Sequence, residues 1–306
     1  MKVFTQIENI KNYHSVYMAL GTFDGVHIGH QAIIRRTLQQ AKKENVTSAV
    51  FTFSNHPLCV LDAERCPSLI TTNQDKVALI SELGIDILFN VPFCTELLQL
   101  SPEKFIEKLV TNINLRHIII GTNFTYGYRG TGTPRLLTAA GEKYGFTVDV
   151  VDMVTVERVI VSSTAIRQLV TDGAVKQAAI LLGRPLTITG KVIRGDQRGR
   201  KLGFPTANME IRQGFLVPAD GVYAVHAYRQ DGVKLNGVAN VGNNPTFTRQ
   251  TQRIEVHILD FDKSIYGQEL RIEFIDRIRG EIAFSDIEQL KKQMQSDIEL
   301  CRKQYF

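Results

Sequence analysis

The apolar residues of this 306-residue chain change period once, near Leu182-Gly183-Arg184-Pro185, and that change divides it into two differently built parts. Before it, short apolar runs alternate with stretches of helical period. Val16-Tyr17-Met18-Ala19-Leu20 stops at Gly21 and reads as a buried strand. A helix from about Gly29 sets Ile34, Leu38 and Ala41 on one face, and Ala49–Phe53 is the next strand. Thr72 caps a helix bearing Val77, Ile80 and Leu83, which leads to the strand Ile87–Val91. Ser101-Pro102 opens a helix carrying Phe105, Ile106 and Leu109, because proline suits the first helical position, and the strand Ile118–Ile120 follows. Such alternation predicts an α/β fold, with a doubly wound parallel sheet whose ligands sit beyond the carboxyl ends of the strands.

After the break the period is mostly two. Gly221–Tyr228, Arg253–Leu259 and Leu270–Ile275 read as half-buried antiparallel strands separated by glycine- and asparagine-containing turns. Ser285-Asp286-Ile287-Glu288 has the form of a capping box, opening a helix with Ile287, Leu290, Met294, Ile298, Cys301 and Tyr305 on one stripe. The expectation is a small antiparallel β-barrel from about residue 186 with a C-terminal helix packed on it, the Met and Cys of the stripe being core. The domains are expected at 1–184 and 185–306.

Composition excludes several classes. Hydrophobic content of 43% and charged content of 22% fit a soluble globular chain. No apolar run approaches the roughly 18 residues of a membrane helix, and the first residues do not read as a signal peptide, so a cytoplasmic protein without membrane partner is expected. Cys59, Cys66, Cys94 and Cys301 form no Cys-x-x-Cys, and reduced structural thiols are the expectation. A net charge of +5 suits phosphorylated ligands, a plain solvated surface or weak nucleic-acid binding alike.

The sharpest local motif is Gly21-Thr22-Phe23-Asp24-Gly25-Val26-His27-Ile28-Gly29-His30, where the first strand turns into the first helix. A helix N-terminus favours phosphate, and glycines at 21, 25 and 29 let backbone approach a phosphate chain. His27 and His30 can reach the same phosphoryl oxygens and stabilise charge developing in a transition state. Two surface histidines near a turn, or a metal pair lacking a third ligand, are the other readings. His-x-Gly-His occurs in nucleotidyl transferases and class I aminoacyl-tRNA synthetases. The Lys-x-Ser-Lys loop of the synthetases is absent; Val161-Ser162-Ser163-Thr164-Ala165-Ile166-Arg167 stands instead at a helix start. Its hydroxyls and N–H groups can bind phosphate, and Arg167 can clamp it, although Ser163 and Thr164 also suit an ordinary cap.

Together these motifs resemble the adenylyltransferase domain of bacterial bifunctional riboflavin kinase/FAD synthetases. The resemblance implies ATP binding by Gly21, Phe23, Asp24, Gly25, Gly29, Ser163, Thr164 and Arg167, with His27 and His30 catalytic. Gly121-Thr122-Asn123-Phe124-Thr125-Tyr126-Gly127 is similar to that family's flavin stretch, with Tyr126 replacing the usual Phe. It implies flavin contacts from Asn123, Phe124 and Tyr126. Asn55, His56 and Pro57, after the second strand, fall where the family lines its site, and read equally as a strand-ending turn.

In the second part, the run from Gly190 through Gly195, Gly199 and Gly203 to Pro205-Thr206-Ala207-Asn208 is a basic glycine-rich loop but not a Walker A loop. By itself it has no assignable ligand. It resembles the nucleotide loop of riboflavin kinases, which implies ATP contacts from Gly195, Gly199 and Gly203. It also implies Mg²⁺ held by Thr206 and Asn208, whose oxygens suit a hard cation. On Arg253–Ile258, Ile254, Val256 and Ile258 share one face, with Glu255 and His257 on the other. Glu255 reads as a solvated strand residue or as the acceptor of a hydroxyl proton. The flanking stretches Ala239–Phe247 and Leu259–Gly267 resemble the kinase family, and the resemblance makes Glu255 the catalytic base.

The implied function is phosphorylation of riboflavin to FMN and adenylylation of FMN to FAD. ATP is the co-substrate at both steps and Mg²⁺ the cofactor; the partners are small molecules, with no nucleic acid and no obligate protein. The competing readings are an adenylyltransferase with a silent flavin-binding barrel, and a synthetase-like nucleic-acid-binding protein.

Overall fold

The computed structural model describes every residue except 8, 9, 12, 14, 196–198, 200, 201, 247 and 248, and describes backbone alone at 243–246 and 249–252. Part of the basic glycine-rich loop, and Phe247 of the Ala239–Phe247 stretch, therefore lie outside the described residues. The chain divides into two units, Met1–Ser163 and Thr164–Phe306.

In the first unit the elements run β1 (Lys2–Phe4), β2 (Val16–Leu20), α1 (Ile28–Lys43), β3 (Thr47–Phe53), α2 (Pro57–Leu61), α3 (Asn73–Glu82), β4 (Ile87–Val91), α4 (Thr95–Leu98), α5 (Pro102–Asn112), β5 (Leu115–Gly121), α6 (Pro134–Tyr144) and β6 (Thr147–Val151). A short hairpin, β7 (Thr155–Val156) and β8 (Val159–Ile160), closes it. The strand order is β1-β4-β3-β2-β5-β6, and every pair is parallel. Because β3 lies on one side of β2 and β5 on the other, the order reverses at β2. The crevice beyond the carboxyl end of that strand is the place for a ligand. Successive residues of β2 serve opposite faces. Met18 joins a core with Phe51, Phe89, Phe105 and Ile118, and Ala19 joins another with Phe23, Ile34, Val50 and Ile80. A strand buried on both faces reads as a continuous apolar run, which is why the sequence revealed it.

The second unit contains α7 (Ser163–Thr171, whose first residue ends the first unit), α8 (Val175–Leu182), β9 (Leu186–Ile193), β10 (Ala207–Glu210), β11 (Gly221–Arg229), β12 (Lys234–Thr246), β13 (Arg249–Ile258), β14 (Glu269–Arg279) and α9 (Ile287–Gln304). The strands close an antiparallel barrel in the order β10-β13-β12-β11-β14-β9. The turn between α7 and α8 is pinned to the barrel. Arg277 donates to the Asp172 carbonyl at 3.4 Å and the Asp220 carbonyl at 2.6 Å, and Lys176 pairs with Asp276 at 3.7 Å.

Two expectations are corrected. The cap of α9 is Asp286 rather than Ser285: its carboxylate accepts from Gln289 N at 2.8 Å. The helix starts one residue later than the capping-box spacing suggests, and Ile287, at its first position, is 61% exposed and outside the buried stripe. The buried face gains Asp297 instead, on which the Arg279 guanidinium converges at 2.8–3.1 Å. Cys59 and Cys66 are not free thiols but a disulfide. The turn of α2 and the 3₁₀ turn at Ala63–Arg65 fold the segment back and bring the two Cα atoms to 4.3 Å, a proximity no local sequence pattern encodes.

Candidate active sites

The loop between β2 and α1 is strained and anchored. Phe23 (φ 50°), Gly25 (φ 83°) and Val26 (φ 39°) all take left-handed backbone conformations. A β-branched residue there costs on the order of 1–3 kcal/mol and persists only where the surroundings impose it. Phe23 and Val26 are fully buried wedges that do so. Gly21, at the end of β2, abuts the Phe23 ring so closely that a Cβ would lie 2.8 Å from it. Asp24 is buried, and its carboxylate accepts from Ile70 N (3.2 Å) and from Thr71 N (3.3 Å) and Thr71 Oγ1 (3.4 Å), while Gly25 N donates to Thr71 Oγ1 at 3.2 Å. The Asp24 carboxylate thus holds the loop to the segment that leads into α3.

His27 caps α1, its Nδ1 accepting from His30 N at 3.2 Å. The two imidazoles stack with centroids 3.5 Å apart, and Phe23 meets His30 edge-on at 5.2 Å. Burial first, then the neighbouring His27 and Lys76, hold His30 well below the ordinary histidine value. His30 Nδ1 is buried without a hydrogen-bond partner among the described residues. Gly29 stands in the opening turn of α1, where a Cβ would lie 3.2 Å from the His27 ring and 3.7 Å from the Val161 carbonyl. That draws the Val161–Ser163 segment to the loop, and Ser163 Oγ donates to the Asp24 carbonyl at 3.0 Å. Thr164 (exposed) and Arg167 (half-buried) follow on α7.

A cleft beside this loop is lined by Thr22, Asp24, Ser54, Asn55, His56 and Lys76, among others. Asn55 is a pin between strand ends: its amide donates to the Phe93 carbonyl (2.9 Å) and accepts from Phe93 N (2.7 Å). His56 caps α2 through Leu58 N at 3.2 Å, with Pro57 at the first helical position. After β5, Asn123 is exposed and Phe124 half-buried. Tyr126 lies in the core, 5.8 Å from Phe124 and 5.9 Å from Phe105 between ring centroids, and burial pushes its hydroxyl up to about 12. Phe124 is thus the ring of this stretch left at the surface.

Sequence reasoning missed Lys76. It lies in the opening turn of α3, is only 8% exposed, and donates to the Phe53 carbonyl at the end of β3. Burial lowers its ammonium to about 8, against the pull of Asp24. A lysine in the opening turn of a helix capped by Thr72, where the macrodipole disfavours positive charge, was the available signal; its burial was not.

On the barrel, Thr206 Oγ1 donates to Glu255 Oε2 at 3.3 Å. Glu255 on β13 stands opposite Asn208 on β10 and Asn240 on β12, which puts all three on one row across the strands. The core face of β13 is Ile254, Val256 and Ile258, as the alternation predicts. Gly195 passes so close that a Cβ would lie 2.5 Å from the Asn208 amide, and one on Gly199 would lie 2.5 Å from the Phe204 carbonyl. The glycines therefore let the backbone at 195 pass against Asn208 and that at 199 against Phe204 and Thr206. Gly203 (φ 90°) makes the turn into Phe204. Phe204 meets the His257 ring edge-on at 5.9 Å, and His257 Nδ1 bonds the Pro205 carbonyl at 2.8 Å. Beside Phe204, an open groove of about 400 Å³ runs along α9, lined by Leu202, Lys291, Lys292, Gln295, Ser296 and Glu299. Among the described residues no cluster of three or more His, Cys, Asp or Glu side chains could hold a metal, and no helix is long and apolar enough to cross a membrane.

Such arrangements suit a transferase that works on nucleotide phosphates, with separate candidate sites in the α/β unit and in the barrel. The family described as FAD synthetase matches residues 9–165, and that described as riboflavin kinase matches residues 182–305. The bifunctional riboflavin kinase/FMN adenylyltransferase of Bacillus subtilis (strain 168) is 41% identical over 285 residues, 92% of this chain and 89% of that protein. Its Escherichia coli (strain K12) counterpart is 33% identical over 309 residues, 100% of this chain and 98% of that protein. A Streptococcus pneumoniae crystal structure titled as a macrolide-efflux protein superposes with a TM-score of 0.88 at 32% identity, covering 99% of each chain. This chain belongs to the bifunctional riboflavin kinase/FMN adenylyltransferases and is an enzyme of both activities. The reading with a silent barrel is the less favoured one.

Proposed function

We propose that residues 1–184 adenylylate FMN and residues 185–306 phosphorylate riboflavin, with the side chains in the following roles. In the first reaction a phosphate oxygen of FMN attacks the α-phosphorus of ATP, and the bond to the β-phosphate breaks to release pyrophosphate. His27 and His30 donate to the oxygens on which charge accumulates. The backbone of Gly21, Phe23, Asp24, Gly25 and Gly29, with Ser163, Thr164 and Arg167, holds the triphosphate. The Asp24 carboxylate acts indirectly, through the shape it imposes on the loop. Asn123 and the Phe124 face take the flavin, with Tyr126 behind them and Asn55, His56 and Pro57 shaping the opposite wall.

In the second reaction a ribityl hydroxyl of riboflavin attacks the γ-phosphorus of a second ATP, ADP leaves, and Glu255 accepts the hydroxyl proton. Gly195, Gly199 and Gly203 carry the loop over the phosphates. The donor set of Thr206 hydroxyl, Asn208 amide and Glu255 carboxylate is all oxygen, which fits Mg²⁺ sharing its shell with substrate phosphates. Such an ion would neutralise charge across the phosphates, and Thr206 and Asn208 are the residues to hold it. The groove beside Phe204 has the size of a small-molecule site and suits riboflavin. We place the enzyme in the cytoplasm, working on small molecules, and the roles above need no nucleic acid, membrane or protein partner.

The observation that carries this assignment is the pairing of Thr206 with Glu255 in one unit and the stacked His27–His30 pair in the other. The test incubates the protein with ATP and Mg²⁺ and either riboflavin or FMN, then separates the flavins by chromatography. FMN and FAD should form from riboflavin, and FAD from FMN. FAD from FMN without any FMN from riboflavin would leave the barrel a binding module.

A further inference from the structure

We propose that Lys76 is a phosphate-binding residue of the adenylyl-transfer site, its ammonium taking an oxygen of the phosphate group that reacts there. The proposal deepens, and rests on, the placement of adenylyl transfer at the His27–His30 loop.

The geometry comes first. Lys76 belongs to the same anchored body as the histidine loop, although the two are far apart in sequence. Asp24 receives the N–H groups of Ile70 and Thr71, Gly25 N donates to Thr71 Oγ1, and Thr72 caps the helix through Asp75 N at 2.9 Å. That chain of bonds fixes the opening turn of α3 against the loop, so the ammonium keeps its place relative to His30, whose protonation it opposes. It stands at the carboxyl end of β3, bonded to the Phe53 carbonyl, and shares the cleft with Thr22, Ser54, Asn55 and His56. The carboxyl ends of the strands beside the reversal of strand order are where an α/β sheet binds its ligand.

The charge balance points to an anion. The titratable basic groups near Lys76 are His30 on α1 and, beyond it, His27 at the cap of that helix, with His56 at the start of α2 lining the cleft. The acidic group is Asp24, whose oxygens already receive two backbone N–H groups. The dipole at the start of α3 adds further positive potential. An ammonium has three N–H donors, and the Phe53 carbonyl takes one. Buried charge of one sign is normally paired, and a phosphate oxygen entering the cleft supplies that pairing. Both reactants bring one: FMN its terminal phosphate, ATP its α-phosphate.

The test compares wild type with Lys76→Met, Lys76→Arg and His30→Ala in the full-length protein. Adenylylation is measured with FMN and ATP varied separately across pH, alongside riboflavin phosphorylation and melting temperature. Lys76→Met should lose on the order of 10²-fold or more in kcat/KM for adenylylation. It should keep its kinase rate and melt no lower than wild type, because a buried charge has been removed. Wild-type kcat/KM should fall as pH rises through about 8, where the ammonium of the free enzyme deprotonates, and Lys76→Arg should move that fall to higher pH. A rise in KM for FMN assigns the contact to the FMN phosphate, and a rise in KM for ATP assigns it to the α-phosphate. Wild-type kcat/KM in Lys76→Met overturns the proposal, as does a lowered melting temperature combined with an unchanged pH profile in Lys76→Arg. If His30→Ala is also fully active, it is the placement of the site that fails.

Discussion

The two proposed active regions would handle the same kind of group, a reacting phosphate, with opposite materials. In the α/β unit the residues proposed for this stand at helix starts: two stacked histidines, at the cap and in the first turn of α1, and a buried lysine in the opening turn of α3, held by backbone bonds to one carboxylate. In the barrel the proposed groups offer oxygen: a carboxylate and two amides in one row across the strands, with the Thr206 hydroxyl bonded to that carboxylate from just before β10. On the proposed assignment the first region brings positive charge with the protein, in Lys76, whereas the second would receive it as a metal ion. The strained loop between β2 and α1 can hold the two helix starts together because tertiary clamps offset the cost of its backbone. A barrel rung can group its oxygens because alternation alone lines up side chains on neighbouring strands.

The largest effect expected is at Glu255. Glu255→Gln keeps size and hydrogen bonding but removes basicity, and riboflavin phosphorylation should fall by roughly 10²–10⁴, the usual worth of a general base. Adenylylation of supplied FMN should continue at the wild-type rate. A normal phosphorylation rate would make Glu255 an ordinary strand residue and dissolve the contrast on the barrel side.

The mirror experiment is His30→Ala, for which FAD formation from FMN should drop by about 10²–10³ while riboflavin phosphorylation is untouched. Loss of both activities in a folded variant would mean that the two regions are not independent.

A third change probes what holds the barrel region together. Asp297→Ala strands the Arg279 guanidinium beneath α9 and should cost roughly 3–5 kcal/mol, read by denaturant unfolding of the second unit. The groove along α9 should weaken for riboflavin before the α/β unit is affected. The smallest effect is Asp286→Ala, which removes the α9 cap at a cost of about 1 kcal/mol and should leave both activities intact. If Ser285→Ala were the costlier of the two, the assignment of the cap would be wrong.

Much of this was legible in the chain itself. Val16–Leu20, the caps Thr72 and Ser101, and the inward face Ile254, Val256 and Ile258 all stand where the sequence places them. Other elements escaped for physical reasons. The strand β12 carries Gly237, Gly242 and Pro245, residues that argue against a strand locally; Gly237 pairs with both β11 and β13, whereas Gly242 and Pro245 pair with β13 beyond the stretch that β11 covers, where a proline costs no ladder bond on that side. Tyr126 read as an aromatic face for a ligand and proves to be a core residue, since an aromatic looks the same in sequence whichever way it turns.

What the sequence determined by itself was everything set by short-range period and local backbone chemistry. The single change from helical and unbroken runs to alternation set two architectures, and the glycine spacing marked both loops proposed to hold phosphate. What only the tertiary structure decided involves partners far apart in the chain. Asp24 meets Ile70 across 46 residues, Cys59 bonds Cys66 through a folded-back turn, Lys76 is buried beside histidines on another helix, and α7 follows Ser163 into the second unit. The reason is one of range. A helix or strand is specified by neighbours within a few residues, but the environment of a charge depends on what packs around it, and that exists only once the chain has closed.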